Sequence, residues 1–522
     1  MHPQDITTWL VDKTAAILQI SPHNIDPAQP FASLGMDSMM MLELTGDLAA
    51  WLGHELSPSL VWEHPTIYAL AAHLSSGLAL QEPPIVPVGR DIPLPQTFAQ
   101  ERMWRAIMNG GPDARQIVSK GVKLQGDSLD IPLLDKCLVQ LVERHEPLRA
   151  TFGEHDGHPI QISHPAPHTL LRVQDLSASP DAEDSAWSDF LADKRRPYDL
   201  ATGPLVQCTL YILGEHDYRL GLHLHHIICD GHTFAIILQE LSFLYQQTQS
   251  GTQISLPPMS VQTGDFATWQ RHWLRPDGPA YAAHLAWWND FLGTQSPAPA
   301  CATLRWAQPP AVPDPGQIST MQTLPNDLCD RLRDIAVREG STFANLVLAA
   351  FMVALARRHT PEGALVGSYV SDRRRPAVMN LMGHFVNLIV IRMTSHMDRP
   401  FLDVLRHVSD TMTQVSAHQD FPFENLAEAR AAAGLYAPHP QVIFNYRPEV
   451  QYPDPFFRGV HLSDWMYRQP AAGIPWGMTG STLHTPEGLL LKIHFDTGLY
   501  EPARVQALKD DFVAILKSAA SL

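Results

Sequence analysis

Apolar residues recur along this chain with two different periods, and the switches between them mark its elements. Residues 5–19 set Ile6, Leu10, Val11, Ala15 and Leu18 on one side of a helix. A loop follows with Ser21-Pro22 and Asp26-Pro27. Asp37 or Ser38 then stands where a helix N-cap belongs, ahead of Met39-Met40-Met41-Leu42-Glu43-Leu44. Shorter helical pieces lie around 58–63 and 66–76, divided by His64-Pro65-Thr66. This predicts an all-α, four-helix module over residues 1–78, small but within the size that folds alone. The next stretch, 79–96, carries Pro83, Pro84, Pro87, Pro93 and Pro95 and reads as an extended, semi-rigid linker that lets the module swing while tethered.

From Phe98 onward both periods occur, which predicts one large α/β body over 97–522. A helix opens at Phe98-Ala99-Gln100-Glu101-Arg102-Met103-Trp104, and another spans 131–145, entered through Asp130 with Pro132 in its first turn. A strand, Ala150-Thr151-Phe152, comes next. Tyr218 to His226 alternates strictly, so Leu220, Leu222, Leu224 and His226 share one strand face and Gly221, His223 and His225 the other. Asp230-Gly231 breaks that strand, and Phe234, Ile237, Leu238, Leu241 and Leu244 recur at helical spacing behind it. A Pro-rich stretch at 296–314 separates two halves, expected at about 97–290 and 291–522, and helices are expected at 326–339 and 343–357. No repeat of 20–50 residues marks a solenoid.

Composition narrows the class. The 522 residues are 45% hydrophobic and 17% charged, with no apolar run long enough for a membrane span. The first residues lack a signal-peptide pattern, and the five cysteines are scattered without a Cys-x-x-Cys pair; a cytoplasmic protein with reduced thiols is expected. A net charge of −17 argues against nucleic-acid binding. The charge is uneven: Asp5, Asp12, Asp26, Asp37, Glu43, Asp47, Glu55 and Glu63 face only Lys13 in the first module, the balance of a module that docks on basic surfaces.

The chemistry concentrates at His225-His226-Ile227-Ile228-Cys229-Asp230-Gly231. His226 is a titratable side chain on an apolar face at a strand end, a good place for a general base. His223, His225, Cys229 and His232 add donors, but His225 and His226 leave opposite faces of a regular strand, so no metal is expected there.

Residues 1–78 resemble an acyl or peptidyl carrier protein, through Leu34-Gly35-Met36-Asp37-Ser38 and through Leu56-Ser57-Pro58-Ser59-Leu60-Val61-Trp62-Glu63-His64-Pro65-Thr66-Ile67. That resemblance places a 4′-phosphopantetheine arm on Ser38 and implies a phosphopantetheinyl transferase as partner. The body resembles a condensation domain of nonribosomal peptide synthetases. The match is carried, in order, by Ala99-Gln100-Glu101-Arg102-Met103-Trp104, Arg144-His145-Glu146-Pro147-Leu148-Arg149, the His225 to Gly231 stretch, Met382-Gly383-His384-Phe385-Val386-Asn387, His418-Gln419-Asp420-Phe421-Pro422-Phe423-Glu424 and Asn445-Tyr446.

The family fold is two chloramphenicol-acetyltransferase-like lobes with a tunnel between them. It implies transfer of an acyl or peptidyl group from the arm on Ser38 to the amine of a downstream aminoacyl carrier, with an upstream acyl-loading or elongation domain as the other partner. In that frame His226 is the base or orients the amine, His225 packs or hydrogen-bonds in the scaffold, and Asp230 pairs with Arg149. Gly231 leaves room for the turn or the arm and points its N–H at the developing oxyanion, while Asn387, Asn445 and Tyr446 line the tunnel or satisfy buried backbone. Gly473-Ile474-Pro475-Trp476-Gly477-Met478 stands where the family has a strand crossing between lobes. Three rival readings accompany this one: an ester from a hydroxyl acceptor, a non-catalytic platform for tailoring enzymes, and a coenzyme A acyltransferase to which the carrier is only fused.

Overall fold

The computed structural model describes residues 3–522 except 19, 23–24, 26, 28, 30, 32–33, 35, 37, 54–55, 57–59, 65, 76–81, 111–115, 252–255, 295–303, 306–316, 359–361, 448–452 and 466–476. The first module holds helices Pro3–Leu18, Ser38–Leu52, Leu60–Glu63 and Ile67–Ser75. Ile6, Leu10, Leu44, Leu48, Ile67 and Leu70 close its core, and Trp9 stacks on Trp51 at 5.0 Å. The helical periodicity read from the sequence is thus the packing periodicity of this small core.

The body has two lobes, each built on a sheet. The first lobe's five strands run in the order Val460–Asp464, Ile117–Gly126, Asp217–His225, Val206–Gly214, Leu171–Asp175. Helices Ile131–Arg144 and Gly231–Gln249 bury Leu134, Leu138, Leu141, Leu238 and Leu241 in its core. The second lobe's six strands run Val386–Arg392, Leu365–Ser371, Val442–Asn445, Met478–Thr485, Gly488–Asp496, Gln317–Pro325, with Val442–Asn445 parallel to both neighbours. Helix Phe343–Arg357 is buried without a break from Leu346 to Leu355, as an apolar segment must be when other elements cover it on all sides.

The lobes are not continuous in sequence. Helix Pro279–Leu292 brings Trp288 and Leu292 into a cluster with Leu388, Val390 and Phe421 of the second lobe, so the second lobe recruits residues from before the expected boundary at 291. In the other direction, Val460–Asp464 leaves the second half and pairs antiparallel with Ile117–Gly126, while Phe456 and Phe457 enter the first lobe's core and Trp465 packs on Phe190 and Tyr211. This is the crossing strand. It precedes the place the sequence indicated: residues 466–476 lie outside the described residues, and Met478 belongs to the second lobe's own sheet.

The linker is also more fixed than its composition predicts. The Trp269 indole donates to Pro83 O at 2.6 Å, and the Asp265 carboxylate accepts from Val88 N and Arg90 Nη1, each at 2.8 Å. Arg90 also pairs with Glu146 at 3.0 Å, and Leu94–Pro95 joins His158–Ser163 as a short strand. From Glu82 onward the chain is therefore a strap on the body.

Gly126 adopts φ +139°, and a Cβ there would lie 2.0 Å from Gly459 O, a backbone atom that cannot rotate away. Replacing Gly126 with Ala should strip the crossing strand from the sheet edge and destabilise the body by about 1–3 kcal/mol, read as a lowered melting temperature of the full chain.

Candidate functional site

His226 lies just past the strand, not on it. The strand ends at His225, and His226–Ile228 form one turn of 3-10 helix. The wholly buried His225 caps that turn, its Nδ1 accepting from Ile227 N at 3.1 Å. The two imidazoles part as expected, but through the turn rather than through the pleat.

The His226 Nδ1 stands 2.9 Å from the Cys229 carbonyl oxygen. A carbonyl oxygen only accepts, so the proton is on Nδ1 and the lone pair is on Nε2. Among the described residues Nε2 has no hydrogen-bond partner in another residue. The His226 ring is partly exposed to water, and burial sets its pKa below the ordinary histidine value, against the Cys229 contact, which acts to raise it. A neutral imidazole with a free Nε2 is a competent base at neutral pH.

A second imidazole, His384, meets it edge-on with ring centroids 4.7 Å apart. Its Nδ1 lies 3.2 Å from the same Cys229 oxygen and its Nε2 3.3 Å from Arg102 Nη2. Guanidinium only donates, so His384 also carries its proton on Nδ1, and both lone pairs of the Cys229 oxygen are used. Burial, then His226, then Arg102 push the His384 pKa well below the usual value. His384 stands in the motif Met382 to Asn387, whose sequence alone did not assign it to the site.

Asp230 does not pair with Arg149. Its two oxygens each accept from Arg373 Nη2 at 2.9 Å, and it caps helix Gly231–Gln249 through His232 N and Thr233 N at 3.1 and 3.0 Å. Arg149 instead covers carbonyls at the end of helix Ile131–Arg144, Val142 O at 3.1 Å and Glu143 O at 3.4 Å, and donates to Ser163 Oγ at 2.6 Å. An arginine one turn past a helix C-terminus has unsatisfied carbonyls at hand, which outcompete a distant carboxylate. Arg373 lies in the run Arg373-Arg374-Arg375, a basic cluster visible in the sequence.

The Asp230–Arg373 pair clamps the lobes. Arg373 also donates to Gly383 O at 3.3 Å and lies 4.2 Å over the Phe385 ring, Phe385 N donates to Asp230 Oδ2, and Thr263 Oγ1 donates to Met382 O at 2.6 Å. The segment 382–385, and His384 with it, is thereby fixed against the helix that starts at Gly231.

Gly231 has ordinary negative φ and nothing within 4 Å of an added Cβ. The turn therefore does not require glycine; the space above it is open. Asn387 lines a small cleft with Arg102, Asp372 and Asp420, but its amide is spent on structure: Nδ2 donates to Gln419 O and Phe421 O at 2.7 and 2.8 Å, and Oδ1 accepts from Leu388 N and Phe423 N. Tyr446 packs on the second lobe's core with its hydroxyl 3.1 Å from His484, and Asn445 ends its strand opposite Ser481. The structure thus brings neither Asn445 nor Tyr446 to His226. Ser38 is the first residue of the 15-residue helix Ser38–Leu52, whose N-terminal amides suit a phosphodiester attached there.

Comparison with known proteins agrees with this architecture. Residues 92–522 match the family described as Condensation domain, and residues 8–74 match Phosphopantetheine attachment site. One of the linear gramicidin synthase subunits of Brevibacillus parabrevis is 32% identical over 511 residues, 95% of this chain and 6% of that protein. The probable non-canonical nonribosomal peptide synthetase CymA of Salinispora arenicola is 29% identical over 94% of this chain and 6% of its own length. The chain thus spans only a small part of the length of these curated relatives. Among solved structures, the first condensation domain of the CDA synthetase aligns at a TM-score of 0.65 and 21% identity, covering 83% of this chain and 97% of that one. The X-domain from teicoplanin biosynthesis aligns at 0.68 and 21%, covering 84% and 97%. At these identities the likeness concerns the fold.

Two outcomes follow from the clamp and the imidazole pair. Arg373→Ala leaves Asp230 buried and unpaired and should destabilise the body by about 3–5 kcal/mol, whereas Arg149→Ala, read by the same melting curve, should cost far less. His226 and His384 have lowered pKa values in the folded state, so on acidification the unfolded chain takes up protons first. Stability should therefore fall as pH drops below the unfolded histidine value of about 6.5, and His384→Leu should flatten that fall in a melting series from about pH 7.5 to 5.5.

Proposed function

The chain belongs to the condensation-domain family, with a phosphopantetheine attachment domain ahead of the body, and on that footing we propose that it joins an acyl or peptidyl group held on Ser38 to the amine of an aminoacyl group on a downstream carrier. The attached arm would supply a thioester at the end of a flexible tether. Presenting both reactants inside one channel makes the encounter effectively intramolecular, a gain of up to about 7–11 kcal/mol in good geometry.

The observation that carries this reading is the free Nε2 of a neutral, Nδ1-protonated His226. Nε2 accepts the proton that the amine sheds as its nitrogen bonds the carbonyl carbon, and the imidazolium returns that proton to the sulfur as the C–S bond breaks. Cys229 O and His384 hold the ring so that Nε2 stays aimed outward. Asp230 acts one step back: it holds Arg373 and the 382–385 segment and touches no reactant. Open space over Gly231 leaves room for an incoming arm. A hydroxyl acceptor would use the same base and give an ester. The partners of this reading are an upstream acyl-loading or elongation domain, a phosphopantetheinyl transferase acting on Ser38, and the downstream aminoacyl carrier. A position in the cytoplasm accords with this reading, and no single helix among the described residues is long and apolar enough to cross a membrane.

The test loads Ser38 with an acyl-phosphopantetheine, adds aminoacyl and hydroxyacyl carriers separately, and follows the products by intact mass. Transfer to the amine is expected, and His226→Ala should slow it about 10²–10⁴-fold with little change in melting temperature. A full rate in His226→Ala would remove the assigned base and favour a platform role; absence of arm attachment at Ser38 would favour a coenzyme A substrate.

A further inference from the structure

A small cleft lies between the lobes beside Arg102. Phe98 and Arg102 line it from helix Phe98–Met108, and Asp372, Asp420 and Glu424 line it from the second lobe. It has room for a group about the size of a water molecule. Arg102 also joins the cleft to the candidate site: its Nη2 lies 3.3 Å from His384 Nε2, and the His384 ring meets that of His226 at 4.7 Å.

The charged groups lining the cleft are matched, except for Asp372. Asp420 has both oxygens spent, Oδ1 on Arg374 at 2.7 Å and Oδ2 on Arg375 at 2.6 Å. Glu424 faces Arg102 at 3.6 Å. Asp372 is only 5% exposed, and its backbone N–H is fixed to Phe385 O at 2.8 Å. Among the described residues its Oδ1 has no hydrogen-bond partner. A buried polar atom without a partner is costly and rare, so it marks a place where a ligand supplies the missing bond.

The lining also selects the sign of that ligand. Burial, then Asp420, push the Asp372 pKa well above the ordinary carboxylate value, against Arg374, Arg375 and Arg102. An anion would stand beside three carboxyl groups and is disfavoured. A positively charged donor meets the opposite conditions: it gives Oδ1 its hydrogen bond and favours the ionised carboxyl. The size of the cleft selects a compact primary ammonium over a planar guanidinium. Among the described residues no three His, Cys, Asp or Glu side chains are grouped to hold a metal ion.

We propose that Asp372 is a selectivity residue: the cleft takes a primary ammonium group that a substrate carries in addition to the atoms reacting at His226. Two sources share this chemistry, a side-chain amine on the aminoacyl acceptor and an amine on the acyl donor. The site rests on the reading of the body as a condensation domain, but it is tested by binding and needs no turnover.

The experiment uses the full chain with no arm on Ser38, and pantetheine ligands in which an amide replaces the thioester, so that nothing is transferred. Calorimetry compares two matched pairs in which a terminal methyl replaces the ammonium: lysyl with 2-aminoheptanoyl, and 6-aminohexanoyl with heptanoyl. The ammonium member of at least one pair should bind about tenfold tighter or more. Preference in the first pair names the acceptor as the source, and in the second the donor. Asp372→Asn keeps the shape of the side chain and removes its charge. It should cut the preference to about twofold or less and leave binding of the methyl members as it was. Its melting temperature should hold or rise, since no second carboxyl then stands beside Asp420, which separates lost recognition from lost folding. Equal binding within both pairs would overturn the site, and so would a preference that Asp372→Asn retains. Failure of transfer in the loaded-carrier assay while this preference stands would count against the reaction and not against the cleft.

Discussion

One ion pair holds the geometry of the candidate site together. Asp230 begins a helix of the first lobe, and Arg373 follows a strand of the second, 143 residues later. Each is almost fully buried, so each would be costly alone, and each neutralises the other's charge. Asp230 spends its remaining capacity on the helix N-terminus and on Phe385 N, and Arg373 spends its own on loop carbonyls and on the Phe385 ring. The consequence is positional. His226 belongs to the first lobe and His384 to the second, and their edge-on contact exists only while this clamp is closed.

The two imidazoles share one acceptor, the Cys229 oxygen, and that sharing decides their protonation. Each must donate through Nδ1, and neither gains a carboxylate partner that would favour a charged ring. Burial lowers the pKa of both rings, and the nearness of His226 lowers that of His384 further. His384 spends its Nε2 on Arg102, which leaves His226 as the imidazole of the two with its Nε2 lone pair unspent. The division of labour comes from geometry, since the two side chains are chemically identical.

The strap from Glu82 to Asp91 changes the picture of how the carrier is tethered. Arg375 reaches Glu82 at 2.7 Å and Asp420 at 2.6 Å, and Arg90 reaches both Asp265 and Glu146. Proline-rich composition favours an extended chain, and an extended chain with few internal hydrogen bonds is well suited to lie along a surface that offers partners. The part of the linker from Glu82 onward is thus held to the body.

Much of this protein is legible in its sequence. Helix boundaries at Ser38, Ile131, Asn326 and Phe343 and the strand that leads into the histidine pair follow from period and capping, because local backbone preferences act over a few residues, whereas His225 and His226 part through the turn and not through the strand period. What local pattern cannot supply is the choice among distant partners. The sequence reading pairs Asp230 with Arg149; the carbonyls exposed at the end of helix Ile131–Arg144 claim that arginine, and the packing of the lobes delivers Arg373 in its place. The same holds for the crossing strand at Val460–Asp464, for Asn387 as a fastener rather than a tunnel wall, and for His384 beside His226. The sequence by itself determined which elements form and which residue types could do the chemistry. Only the tertiary structure decided which of them meet, because a buried polar group is placed by whichever partner satisfies it, and that partner is a property of the packed lobes.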